Sequence, residues 1–307
     1  MTRHIKGLQV AIIVASFFCA ISIASAEAGE WGQSVVRYSD REMILERGTL
    51  RIDLGPQDFG LLNSGLINNG RGLRIFDAGA DVAVYHGAGA SLGIIDNLEA
   101  GVLMFPILFT PEFEFGAIEG YGRYRFVEKA RVEVAAQAGL QLGTGNYGYG
   151  TGAIVGAPGP GPGFGWGSVD FATSAGLAVL LRPTQGMRID TGVELELFLQ
   201  DVDGTAGSRT ELHGNFVLPF ALNFNITENF FLGGRTGFLF PTADLDYFSI
   251  GLGMQGGYTL ARGVADITGW LTWNNLLFPA APDGVDKFNE DGWEIGAGAN
   301  LYVGIFD

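Results

Sequence analysis

The chain has 307 residues, 49 of them glycine, and carries 33 acidic side chains against 18 lysines and arginines, for a net charge of −15. Nothing here supplies the basic footprint that phosphate binding needs, which excludes nucleic acid as a partner. Glycine runs at about twice its ordinary frequency without a three-residue period, so collagen is excluded, and a single cysteine, Cys19, excludes a disulfide framework.

The first predicted element is a leader. Arg3, His4 and Lys6 precede an apolar run over 8–23, and Ala24, Ser25 and Ala26 supply small residues before a cut. This reads as a secretory signal peptide over 1–26, since the run is too short for a spanning helix. Phe18 ahead of Cys19 argues against a lipoprotein. Cys19 leaves with the leader, which removes cysteine nucleophiles and thiolate metal sites. Residues 27–46 follow as an N-terminal segment that either hangs in the periplasm or folds inward as a small plug; their sequence does not choose between these.

From 47 to 307 the chain alternates. Met187, Ile189, Thr191, Val193, Leu195, Leu197 and Leu199 share one parity, while Arg188, Asp190, Gly192, Glu194 and Glu196 share the other. A period of two sends these sets to opposite faces of a strand. The same pattern, between turns, predicts strands near 49–54, 78–94, 98–109, 113–126, 130–142, 168–182, 187–199, 211–226, 230–240, 247–260, 264–276 and 293–306. Segment 71–84 reads as a strand extension standing above the membrane. Short links fall near 95–97, 127–129, 182–186, 227–229 and 261–263. Longer ones fall near 55–72, 143–167, 200–210 and 279–291. Short turns on one side and long loops on the other are the habit of transmembrane barrels. Outward aromatics cluster at strand ends: Tyr124, Phe126, Phe224, Phe230 and Tyr258 beside the short turns, and Phe171, Phe238, Phe240, Phe248, Trp273 and Trp293 towards the long loops. Two interfacial girdles are expected from this.

Two stretches carry a resemblance. Residues 91–101, turning at Ile95, Asp96 and Asn97, and 224–233, turning at Thr227, Glu228 and Asn229, resemble the strand–turn–strand pattern of bacterial outer-membrane β-barrels. The resemblance covers 47–307 as architecture. It implies an all-β, closed, antiparallel up-and-down transmembrane barrel of about twelve strands, in the outer membrane of a Gram-negative-type bacterium. Membrane lipid and the insertion machinery are then partners, and the barrel stands as a monomer or a homo-oligomer such as a trimer. The chain departs from that pattern at its end, where Phe306 is penultimate and Asp307 last.

Parity points Arg123, Arg125, Arg131, Glu133, Arg188, Asp190, Glu194, Glu196 and Arg235 into the lumen. The arginines lie close to the short turns; Glu194 and Glu196, with Glu119, Glu211 and Asp170, lie nearer the long loops. A hairpin about 127–129 sets Arg123 opposite Glu133 and Arg125 opposite Arg131. The expectation is a porin-like channel for small solutes, with a basic inner constriction and an acidic outer vestibule, because charged rings set selectivity in pores. The alternative is an internal salt-bridge network in an occluded structural or surface-interaction barrel. Inward glycines at 251, 253, 257, 296, 298 and 304 leave one wall low, or make room for Phe231, Trp270 or Tyr302.

A lipid-modifying enzyme is the least supported reading. After the leader only His86 and His213 remain, and neither has a serine two residues on, so no local nucleophile–base pair exists. Asp201, Asp203 and Gly204 open like a calcium loop but lack its later acidic ligands. No metal site and no cofactor are expected. The Pro- and Gly-rich run 157–163 reads as an outer loop.

Overall fold

The computed structural model describes residues 37–54, 73–77, 82–109, 113–143, 169–204, 207–241, 248–260, 264–277 and 293–305. The alternating stretches form strands: β1 Thr49–Asp53, β2 Leu73–Asp77, β3 Val82–Ile95, β4 Leu98–Phe109, β5 Phe113–Lys129, β6 Val132–Gly143, β7 Val169–Leu181, β8 Met187–Gly204, β9 Gly207–Asn225, β10 Phe230–Pro241, β11 Ser249–Thr259, β12 Ala265–Leu277 and β13 Trp293–Gly304. Each strand from β3 onward pairs antiparallel with the next, and β13 returns to the beginning.

The closure has one irregularity. Leu50 of β1 lies opposite both Leu92 and Val303, and Ile75 of β2 lies opposite both Val84 and Ile295. β1 and β2 are therefore two pieces of a single stave. Thirteen strands make a closed antiparallel barrel of twelve staves. Closure leaves no edge with unpaired backbone groups, which a bilayer does not tolerate. The leader, and the links 144–168 and 278–292, lie outside the described residues.

Two predicted boundaries are corrected. The link expected over 200–210 is a continuing hairpin, paired from Gln200 and Glu211 out to Gly204 and Gly207. Asp201 and Asp203 end the apolar alternation there, but backbone pairing does not depend on an apolar face. The turn expected at 127–129 falls instead on Ala130 and Arg131, with Lys129 opposite Val132. A bulge between Arg125 and Val127 then sets Arg125 opposite Ala135 and Arg123 opposite Gln137. A bulge adds one residue to one strand, and sequence parity does not register it.

The faces are reversed relative to a soluble protein. Leu142, Met254 and Phe126 are more than half exposed, and Leu140, Leu177, Leu195, Phe224 and Leu232 are also exposed. Arg51, Asp53, Glu99, Arg123, Glu133, Arg188 and Asp266 are buried inside. An apolar exterior of this extent meets lipid, not water. Tyr124, Phe126, Phe224, Phe230 and Tyr258 stand exposed beside the short turns. Towards the other end Phe238, Phe240 and Phe248 pack together, with Phe240 and Phe248 centroids 5.5 Å apart. These are the two interfacial belts.

Candidate functional site

Residues 37–48 lie among the lumen side chains at the short-turn end. The segment enters with a 3₁₀ turn, Tyr38–Asp40, and leaves through Gly48, whose φ of 77° places it in the left-handed region. Between those points the strap, as we call it, crosses the barrel close to the wall. Its passage over β3 needs Gly93: a Cβ there would stand 2.6 Å from the carbonyl oxygen of Leu45 and closer still to that of Glu46.

The strap has no regular partner strand, so its backbone groups are satisfied by side chains of the wall. Arg123 Nη1 donates to the Met43 carbonyl at 3.1 Å, and Arg188 Nη1 donates to the Arg41 carbonyl at 3.3 Å. Arg182 donates to the carbonyls of Ser39 and Arg41. In the other sense, the Met43 N–H donates to Glu133 at 2.9 Å and the Leu45 N–H to Glu99 at 3.1 Å. Side chains of the strap itself add anchors, among them Glu42, which accepts from Arg125 at 2.7 Å. The Tyr38 ring stacks on Phe231 at 3.9 Å. Arg41 reaches β11, β12 and β13, donating to Asp266 at 2.7 Å, to the Tyr302 hydroxyl at 2.9 Å and to Thr259 at 3.2 Å. Met43 and Ile44 form an apolar contact with Ala135, Ala178 and Leu180.

Beneath the strap the wall charges pair with one another. Arg51 Nε lies 2.9 Å from Asp53, and Arg51 Nη2 lies 3.5 Å from Glu99. Tyr121 donates to Glu99 at 2.9 Å. Glu133 is bracketed by Arg125 at 3.1 Å and Arg182 at 2.7 Å. Arg188 pairs with Asp190 at 2.9 Å. Arg235 donates to Gln255, which donates to Asn223 at 2.8 Å. Buried charges in such numbers are tolerable only when paired and hydrogen-bonded.

Among the residues singled out from the sequence, Arg123, Arg125, Glu133, Arg188, Asp190, Glu194 and Arg235 are buried on the lumen side, and Glu196 is half-buried there. Arg131 is not among them. It sits exposed in the β5–β6 turn, because β5 runs to Lys129. The expected pairs Arg123–Glu133 and Arg125–Arg131 do not face each other, for the same reason. The inner ring is not simply basic either, since carboxylates alternate with its arginines. The same period of two also turns Arg51, Glu99, Arg182 and Asp266 inward. Arg41 carried no signal, because residues 37–48 have no period to read. Gly257 makes room for an aromatic: a Cβ there would lie 2.6 Å from the Phe231 ring.

Among the described residues no cluster of three or more histidine, cysteine or acidic side chains is arranged to hold a metal. His86 and His213 belong to β3 and β9, with side chains outside the described set.

No family model matches the chain, and no curated protein is similar to it in sequence. Solved structures do match. An outer-membrane channel from Pseudomonas putida F1 aligns over 86% of this chain and 98% of its own, with a TM-score of 0.53 and 8% identity. The NanC porin aligns over 75% of this chain and 98% of its own, with a TM-score of 0.46 and 8% identity. The P. putida toluene transporter TodX aligns over 83% and 87%, with a TM-score of 0.35 and 9% identity. At such identities the likeness is one of fold.

Proposed function

From the premise of a porin-like, outer-membrane-type β-barrel, we propose that this chain is a passive channel for small polar solutes, narrowed at its inner mouth by residues 37–48. The observation that carries this reading is how the strap is held. Lumen arginines donate to its carbonyls and lumen carboxylates accept from its N–H groups. A polar solute or water offers the same groups, so a lumen that binds a bare peptide backbone is also one that accommodates hydrated cargo. The test is single-channel current from the processed, refolded protein in planar bilayers, with and without residues 27–46. Steady current is expected from both forms, larger after the deletion. No current from either form overturns the reading.

A second reading has one observation in its favour. Met43 and Ile44 pack on Ala135, Ala178 and Leu180 as a small apolar core, as in an occluded, structural barrel. Current from the truncated form alone would favour that reading.

A further inference from the structure

Above the strap, a row of the wall carries charges that the strap uses only in part. Arg123 on β5 pairs in register with Gln137 on β6, Gln137 with Gly176 on β7, and Gly176 with Glu194 on β8. Arg123 and Glu194 are each only 1% exposed. Three strand spacings separate them, roughly 14 Å along the wall. They do not bond to each other. Arg123 Nη1 is committed to the Met43 carbonyl, which fixes the guanidinium. Its Nε and Nη2 have no hydrogen-bond partner among the described residues; Gln141, opposite Glu119, stands two rows further out. Neither carboxylate oxygen of Glu194 has a partner in good hydrogen-bond geometry, although the Ser174 hydroxyl on β7 lies close by. Glu119 and Glu196, of like charge, and Arg123, of opposite charge, all lie close enough to act on Glu194 electrostatically. Between the two ends the wall is low, because Gly176 presents no side chain.

Unmet donors at one end and unmet acceptors at the other, sealed from bulk water, are expensive unless something fills the gap. A simple anion would answer Arg123 and leave Glu194 worse off beside two further carboxylates. A simple cation would do the reverse. We propose that this niche binds a small zwitterion, with its carboxylate on Arg123 and its ammonium on Glu194. The inference deepens the channel reading and rests on it for access, by naming the class of solute that lingers in the lumen.

Isothermal titration of the processed full chain, folded in detergent, tests it with three probes of similar size: L-alanine, propionate and ethylamine. L-alanine is expected to bind at least about tenfold more tightly than either singly charged probe, as follows when one more charge-assisted hydrogen bond is made. Glu194→Gln should weaken L-alanine and ethylamine by about tenfold and spare propionate. Gln141→Leu, two rows away from Arg123, should leave all three probes unchanged. Heat-modifiable mobility on gels shows that each variant is folded. Equal binding of L-alanine and propionate, indifference to Glu194→Gln, or no binding of L-alanine overturns the niche. Bilayer currents from the same preparation separate the two ideas. Current without L-alanine binding removes the niche and leaves the channel; L-alanine binding without current removes the channel and leaves the niche.

Discussion

Gly93 and Asp266 are the residues on which the strap depends most. Gly93 is the point of closest approach between strap and wall, so Gly93→Ala forces a methyl group against the Leu45 and Glu46 carbonyls. Overpacking of this kind costs about 1–3 kcal/mol, and here it falls on the strap and not on the ladder. Trypsin should therefore cut after Arg41 faster in the folded variant than in the parent; an unchanged cutting rate would show that the contact is slack. Asp266 is fully buried and holds Arg41 with help from Thr259 and Tyr302. Asp266→Ala strands a cation in the lumen, at a cost of about 3–5 kcal/mol, and should shift the midpoint of urea unfolding downward. At this scale the sequence was half legible. Parity alone turned Asp266, Glu99 and Arg188 inward. It had nothing to say of Arg41, because a segment whose backbone is paired by side chains shows no repeat.

Among the elements, the strands were read almost to their ends. β4 spans Leu98–Phe109 as expected, and β7, β10 and β12 differ by a residue or two. The alternation is imposed by lipid on one side and a polar lumen on the other, so it is written wherever both solvents are present. It fails where one of them is missing. At the end of the β8–β9 hairpin the ladder runs on through Asp201 and Asp203 without an apolar set to reveal it. Near the β5–β6 turn the bulge after Arg125 slips the register without altering composition. The strap is the element with the most distinct expected behaviour. A synthetic peptide of residues 37–48, added on the inner side of a bilayer holding the form that lacks residues 27–46, should reduce its current. The contacts it would remake are local to the mouth. No reduction at saturating peptide would show that the strap needs its covalent link through Gly48 to bind.

The molecule as a whole is defined by its inverted faces. Leu177 is 42% exposed on the lipid side of β7, opposite Val193. Leu177→Arg should destabilise the barrel in lipid, since charge on the hydrocarbon face costs up to about 2–4 kcal/mol, measured by urea titration in vesicles. A loss no larger than that of a surface substitution would mean that this face is not in hydrocarbon. The closing ladder sets an order in time as well. β1 finds half of its partners on β13, at the far end of the chain, and contacts so remote in sequence form late. Arg41 takes its own partners from β11, β12 and β13. The latch therefore has no keeper until the last stave has arrived, while the earlier staves β4 to β8 already offer the rest of the strap its partners. Full fastening is thus a property acquired on maturation, when the last strands to arrive close over a segment that the first ones have already seated.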